Sequence, residues 1–165
     1  MSTSARAGTR MSERVVLQPR PMGRVVPEED RQRYLLSTVT IEIDGVPVGA
    51  ARAVDTLGTA VFIVTATDPG EIRDGMVENR RRNRQLRAQL IELGAVVHPA
   101  LGISAEGADS EEMWAATDIG ETEARALGRQ WGQDAVMELT STEVRVVGCF
   151  TRWVRSRPIT NEPTA

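Results

Sequence analysis

The 165-residue sequence contains no lysine, one cysteine, one histidine and few aromatic residues. A lone Cys149 cannot form an internal disulfide, and Cys149 with His98 is too small a set for a Cys/His metal cluster. Both absences are typical of a reducing compartment. We therefore expect no metal site and no cofactor. For His98, a surface or hydrogen-bonded structural role is favoured over a catalytic one.

Long apolar runs are also absent. None approaches the roughly 20 residues that a membrane-spanning helix requires. The first ten residues, MSTSARAGTR, lack the apolar centre of a secretory signal, and Met11 is an alternative start. By elimination, the sequence predicts a soluble cytoplasmic protein with no membrane partner.

Charge divides the chain into three segments. Residues 1–33 carry a net charge of +3, residues 34–150 carry −8 and residues 151–165 carry +2. We predict a flexible basic tail over 1–33, one domain over 34–150 and a second flexible basic tail over 151–165. An acidic domain argues against nucleic-acid binding by the core and leaves the tails as candidates for such contacts.

Alternating and apolar segments predict most of the strands. The segment TVTIEI (38–43) alternates, Asp44-Gly45 supplies a tight hairpin turn, and Pro47 makes the returning strand an edge. The segment 60–66 is apolar throughout and predicts a central strand covered on both faces. Further strands are predicted at 95–98 and 101–103, which Pro99 separates, and at 113–116, 134–139 and 143–148.

Two helices complete the prediction. The first runs from about Asp74 or Gly75 to Leu93 and ends at Gly94, and the second runs from about Glu121 to Trp131 after Gly120. Gly128 indicates a close approach of the second helix to the sheet. From residue 60 onward the order β-α-β-β-α-β is that of a ferredoxin-like fold. We expect an α+β domain with a mostly antiparallel sheet and two helices on one face, plus an N-terminal hairpin and a C-terminal strand. A different mixed sheet is an alternative.

The candidate site is predicted from two asparagines. At about 100° per residue, Asn79 and Asn83 fall on the line that Leu86, Leu90 and Leu93 bury. A buried amide without partners costs roughly 1–3 kcal/mol per unsatisfied group. These side chains therefore need partners near the end of the central strand. They either fix the following loop by hydrogen bonds or contact a ligand, and the first interpretation is favoured.

The remaining site candidates surround this line. We predict ligand-binding roles for Thr65, Asp68, Arg82 and Gln133, and for Trp114, which follows an acidic loop and is otherwise a core residue. Arg82 borders the core stripe, whereas the other arginines of this helix predict a solvated face paired with acids. Glu111 and Glu112 are adjacent in a strand and point to opposite faces, so they are not an acid/base pair.

The sequence also resembles a known bacterial family. The segments are FIVTATDPG (62–70), ENRRRNRQLRAQLIELG (78–94), HPALGIS (98–104), EEMWA (111–115) and ALGRQWGQDAVMEL (126–139). Together they resemble Domain of Unknown Function 3293 over about residues 60–148. The matching positions are Thr65, Ala66, Pro69, Asn79, Asn83, Leu86, Gly94, Gly102, Gln133 and Ala135. The chain departs at Thr67, where the family usually has Trp, and the resemblance implies no activity.

Three functions are compatible with these features. The first is a non-enzymatic binding or regulatory module with a polar pocket at the central strand's end, for a small ligand or a peptide. The second is an enzyme acting on a nucleotide or nucleic acid, with Asp68 or Glu78 as base and Arg82 meeting phosphate. The third is an interaction protein that uses its basic tails. No triad signature, phosphate loop or metal cluster supports catalysis, which favours the first. No catalytic residue is assigned.

Overall fold

A computed structural model describes residues 23–69 and 75–160 and shows an α+β fold with one eight-stranded sheet. Every pair of neighbouring strands for which a register is defined is antiparallel. The elements are α1 (Glu28–Leu36), β1 (Thr38–Ile43), β2 (Val46–Gly49), α2 (Ala50–Leu57), β3 (Val61–Val64), α3 (Met76–Glu92), β4 (Val96–Ile103), β5 (Ser110–Thr117), α4 (Glu121–Gln130), β6 (Ala135–Leu139), β7 (Glu143–Gly148) and β8 (Val154–Pro158).

Strand β3 lies inside the sheet, whose order is β2-β1-β4-β5-β3-β6-β7-β8. All four residues of β3 are buried. Phe62 and Val64 belong to one apolar cluster, and Val61 and Ile63 belong to another on the opposite face. The predicted central strand, apolar on both faces, is confirmed because each face of β3 is covered by side chains.

Helices cover both faces of this sheet. Leu86 and Leu90 of α3 and Leu127 of α4 pack in the cluster that contains Phe62. Helix α2 packs against the opposite face, and α1 packs beside it on strand β7. The expected count of two helices is therefore wrong, since residues 23–69 and 75–160 alone contain four. Helices α1 and α2 span only nine and eight residues, lengths at which tertiary packing rather than intrinsic propensity decides helicity.

The first hairpin follows its sequence signal. Asp44 and Gly45 have φ of 52° and 78°, the left-handed values that a tight hairpin turn between β1 and β2 requires. Strand β2, which contains Pro47, is an edge of the sheet as predicted. Strand β4 corrects the expectation that Pro99 interrupts it. Its pairing with β1 starts only at Ala100, so Pro99 lies where β4 has a free edge and a proline is tolerated.

Glycines set the positions of helices α3 and α4. Helix α3 ends before Gly94, whose φ of 87° completes the helix terminus as predicted. Helix α4 starts after Gly120, whose N–H donates to the carboxylate of Glu123 at 3.1 Å. Gly128 lies against Cys149 and Val136, where an added Cβ would overlap Cys149 Sγ. The predicted close approach of α4 to the sheet is confirmed.

The two predicted tails contain more structure than the sequence indicated. Helix α1 begins at Glu28, and β8 adds an edge strand after residue 150. Trp153 anchors this region, because its buried ring packs with Val26, Leu35 and Val146. These segments of the predicted tails are therefore ordered parts of the fold, and the boundaries at 33 and 150 do not coincide with its limits. Residues 1–22 and 161–165 lie outside the described residues.

Candidate functional site

The loop that follows β3 is held from helix α3 by Asn83. This buried side chain accepts a hydrogen bond from the backbone N–H of Ala66 at 2.8 Å. Its amide nitrogen donates to Thr67 Oγ1 at 2.9 Å and to the carbonyl of Glu112 at 3.1 Å. Both amide atoms are therefore engaged inside the protein, which removes the cost of burying them.

Asn79 holds the same loop one turn earlier. Its side-chain oxygen accepts from the N–H of Asp68 at 3.0 Å, and its nitrogen donates to Asp68 Oδ1 at 2.9 Å. Asp68 has a φ of 43°, a left-handed conformation that is unfavourable for a residue with a side chain. The paired hydrogen bonds stabilise that conformation. The geometry agrees with the favoured interpretation, in which the two asparagines fix the loop.

Gln133 and Thr65 complete the support of the loop. Gln133 Nε2 donates to the carbonyl of Thr67 at 2.8 Å and to the carbonyl of Trp131 at 3.2 Å. Thr65 Oγ1 donates to the carbonyl of Glu112 at 3.1 Å and accepts from the N–H of Thr67 at 3.1 Å. Every residue from Thr65 to Asp68 thus has a hydrogen bond that fixes its backbone or side chain.

A cleft of about 450 Å³ lies on the other side of this loop. It opens between α1, the end of β3 and the loop that joins β4 to β5. Its floor is apolar, and the contributing side chains are Val39, Ile63, Met113, Met137 and Val146. This volume and mixed lining are typical of small-molecule sites.

Glu111 is the most perturbed acid at this cleft. The pKa of its carboxyl is raised from 4.5 to about 7, mainly by desolvation; the Thr65 hydroxyl opposes the rise and the charge of Asp68 adds to it. The residue retains partial solvent exposure because the cleft is open. Among the residues the structure describes, Glu111 forms no ion pair. It is therefore a carboxyl group poised between its neutral and charged forms near neutral pH.

The charged lining of the cleft is mostly acidic. The carboxyl groups come from Asp68, Asp109 and Glu111. Among the described residues that line the cleft, Arg33 is the one with a positive charge. Arg33 is half exposed and lies 3.4 Å from the carboxylate of Asp30, which offsets its charge. The electrostatic field of the cleft thus favours positive groups over negative ones.

The structure divides the predicted site residues between two faces. Thr65 and Asp68 line the cleft, whereas Asn79, Asn83 and Gln133 lie behind the loop and position it. The latter three are brought together with Thr65, as the sequence analysis expected. They do not line this cleft, and a ligand-binding role for the three amides stays a prediction.

Trp114 lies on the face of the sheet that carries α3. Its indole N–H donates to the carbonyl of Asn83 at 2.8 Å, and the guanidinium of Arg87 lies 5.7 Å from its ring centre. Both contacts are internal to the α3 side of the fold. Trp114 does not line the cleft, and the binding role predicted for it stays a prediction.

Arg82 and Glu78 also lie away from the cleft. Arg82 lies 3.4 Å from the carboxylate of Glu78, and Arg81 forms a hydrogen bond to the same group at 2.6 Å. The hydrogen bond from Arg81 lowers the pKa of Glu78. A carboxylate with a lowered pKa is a poor base at neutral pH, so the geometry does not favour the phosphate-and-base arrangement proposed for these residues.

Helix α1 supplies the wall of the cleft that sequence reasoning missed. Arg24 reaches Asp134 Oδ2 at 2.8 Å and Asp30 Oδ2 at 3.0 Å, and the Tyr34 hydroxyl donates to Asp134 Oδ2 at 2.8 Å. This network fixes α1 to the start of β6 and places Tyr34 in the lining. Its sequence signal is weak because its members are separated by about a hundred residues.

Residues 23–69 and 75–160 contain no set of three or more acidic, Cys or His side chains that could hold a metal ion. In the same ranges, no helix is long and apolar enough to span a membrane. His98 has a buried Nε2 for which the described part of the chain offers no hydrogen-bond partner. The predicted hydrogen-bonded role is therefore not found at that atom.

Comparison with known families matches the segment that contains this loop. The model of a family described as "Protein of unknown function (DUF3293)" covers residues 64–136. The resemblance to DUF3293 is confirmed. Comparisons with curated proteins and with solved structures found no match.

The DUF3293 segment contains the loop, both supporting asparagines and Glu111, together with Gln133. It does not contain α1 or β7, which complete the cleft. The family match therefore covers the acidic side of the cleft and its support, while the wall at Tyr34 and the floor at Val146 come from outside it.

Proposed function

We propose that this protein is a small binding module whose ligand site is the cleft at the end of β3. The observation that carries the proposal is the placement of Glu111 and Asp68 beside an apolar floor in a cavity of about 450 Å³. Ligand sites combine apolar area with a few fixed polar groups in this way. The loop 65–68 is hydrogen-bonded throughout, so the polar groups are pre-positioned for a ligand.

Ligand binding is tested by two-dimensional NMR of the full chain during titration with a library of small organic molecules. We expect binders to shift the amide signals of Thr65, Glu111 and Met113. Gln130, exposed at the end of α4 and outside the lining of the cleft, supplies a reference signal. Binders whose effects cluster on α3 while the cleft signals stay unchanged would contradict the proposal.

A second candidate function is general acid/base catalysis in the same cleft. It is supported by the pKa of Glu111, raised to about 7, since an acid/base group works best when its pKa is near the working pH. Turnover of a bound ligand by the native chain, and its loss in Glu111→Gln with binding retained, supports catalysis. Binding without turnover supports the non-enzymatic module.

Nucleotide or nucleic-acid substrates have less support. The cleft is lined by Asp68, Asp109 and Glu111, which repel phosphate. Partner binding through the basic tails also has less support within the described residues, because Arg24, Arg155 and Arg157 bond internally to Asp134, Glu28 and the carbonyl of Leu35. A cytoplasmic location remains a prediction, which the free, buried Cys149 supports.

We also infer that β3 to β6 form a ferredoxin-like unit. The sheet order β4-β5-β3-β6 and the antiparallel pairing of these four strands support this assignment. The packing of α3 and α4 in one apolar cluster supports it further. An experimental structure in which either helix lies on the opposite face would contradict it.

A further inference from the structure

The carboxyl group of Glu111 has an unusual position for an acid. It is half-buried in the lining of the cleft, which it shares with the Thr65 hydroxyl and the carboxylate of Asp68. Within the described ranges, no arginine forms an ion pair with it. Carboxylates removed from water are ordinarily paired with cations, so a ligand cation would complete this environment.

The rest of the cleft restricts the shape and charge of such a ligand. Ile63, Met113 and Val146 provide an apolar surface in the cleft that Glu111 lines, which favours a ligand with a hydrocarbon or aromatic body. Asp68 and Asp109 disfavour an anionic ligand. A volume of about 450 Å³ accommodates a small organic molecule and excludes a folded partner.

We propose that the cleft binds a protonated amine with an apolar body, its ammonium group facing Glu111 and its body lying on Ile63, Met113 and Val146. This inference deepens the binding function proposed above and rests on it. The ammonium group donates hydrogen bonds to the Glu111 carboxylate. The apolar body is transferred out of water onto the floor of the cleft.

The test uses three probes that share an aromatic body and differ in charge: 2-phenylethylamine, 2-phenylethanol and 3-phenylpropanoate. Their dissociation constants for the full chain are measured at pH 8 by NMR titration. We expect the amine to bind about tenfold or more tightly than the alcohol, and the acid to bind most weakly. Equal binding of amine and alcohol, or tighter binding of the acid, would overturn the proposal.

Glu111→Gln and Glu112→Gln form a matched pair for this test, since the two side chains lie on opposite faces of β5. We expect Glu111→Gln to reduce the amine's advantage over the alcohol to twofold or less and Glu112→Gln to leave it unchanged. The NMR spectrum of each free variant establishes that it is folded. If both variants lose the amine's advantage over the alcohol to the same extent, Glu111 is not the group that binds the ammonium.

The pH dependence of binding gives a second measurement on the unmodified chain. The titratable and charged groups that line the cleft together with Glu111 are Asp68, Asp109, Arg33 and Tyr34, and Thr65 lines it as well. We expect amine affinity to rise about tenfold or more from pH 5 to pH 8 as Glu111 ionises, and alcohol affinity to stay constant. A flat amine profile would contradict the proposal.

The outcomes separate the two levels of inference. If the alcohol binds in the cleft as tightly as the amine does, the proposed binding function stands and the proposed preference for amines is wrong. If none of the three probes shifts the cleft signals and the library yields no cleft binder, both are wrong. Amine binding confined to surface carboxylates such as Glu112 overturns the amine proposal alone.

Discussion

The side-chain oxygen of Asn83 accepts a hydrogen bond from the backbone N–H of Ala66 at 2.8 Å, joining residues 17 positions apart in the chain. The same amide donates to the Glu112 carbonyl, so one side chain ties the end of β3 to α3 and β5. Through this contact, helix α3 fixes the loop that lines the cleft without lining the cleft itself.

Substitution of this residue tests the structural role of the asparagines. We expect Asn83→Leu to lower the free energy of unfolding by about 2–4 kcal/mol, because the N–H of Ala66 loses its acceptor, and Thr67 Oγ1 and the Glu112 carbonyl each lose a donor. Asn79→Leu, at a less buried position, should cost about 1–2 kcal/mol. Urea denaturation measures both changes. The control is Gln85→Leu on the exposed face of α3, and a loss of similar size there would contradict this account.

The contact between Gly128 and the sheet predicts a steric effect. In Gly128→Ala the new Cβ overlaps Cys149 Sγ and lies 3.1 Å from Val136 Cγ1. We expect a loss of about 1–3 kcal/mol in the free energy of unfolding from overpacking. The double variant Gly128→Ala with Cys149→Ala should regain part of that loss in thermal and urea melts, whereas exposed Gln130→Ala should have little effect. A double variant less stable than the sum of its single variants would refute the steric explanation.

The raised pKa of Glu111 predicts how stability changes with pH. The folded chain binds this proton more tightly than the unfolded chain, so Glu111 makes stability fall as pH rises from about 4.5 to about 7. Glu111→Gln removes this effect. It should exceed the native chain in stability by about 1–2 kcal/mol at pH 8 and match it near pH 4.5, after allowance for the open cleft. Melts of both chains from pH 4.5 to pH 8 measure the difference, with Glu112→Gln as control. A constant difference across this range would show that ionisation of Glu111 is not its cause.

The anchoring of α1 predicts a local effect of Asp134. This carboxylate accepts hydrogen bonds from Arg24 and Tyr34, and its side chain is about 10% exposed. We expect Asp134→Ala to cost about 2–3 kcal/mol and to increase hydrogen exchange in α1 before the rest of the fold. Tyr34→Phe should cost less, about 1 kcal/mol. Unchanged exchange in α1 in Asp134→Ala would show that other contacts hold the helix.

Much of the sheet and the support of the loop followed from local patterns. The apolar run of β3, the Asp44-Gly45 turn and the line of Asn79 and Asn83 each depend on residues close in sequence, where periodicity is informative. The alternation of β5 placed Glu111 and Glu112 on opposite faces as predicted. Helices α1 and α2 and strand β8 were missed because they are short and depend on packing with distant segments such as Trp153.

The cleft could not be predicted from local sequence patterns, for the same reason. Its lining combines α1, the end of β3 and the loop before β5 with the floor at Val146, and no periodicity relates these segments. Glu111 itself carries no sequence signal beyond its position in an alternating strand. Its raised pKa arises from the surroundings that the fold builds.

Helix α1 lies outside residues 64–136, yet it contributes Tyr34 and Arg33 to the cleft. The family match therefore contains the acidic side of the cleft and the loop support, whereas one wall comes from a part of the chain outside the match. Because Tyr34 and Arg33 stand on a helix separate from Glu111 and its supporting loop, a change in α1 would reshape one wall of the cleft and leave the acid in place.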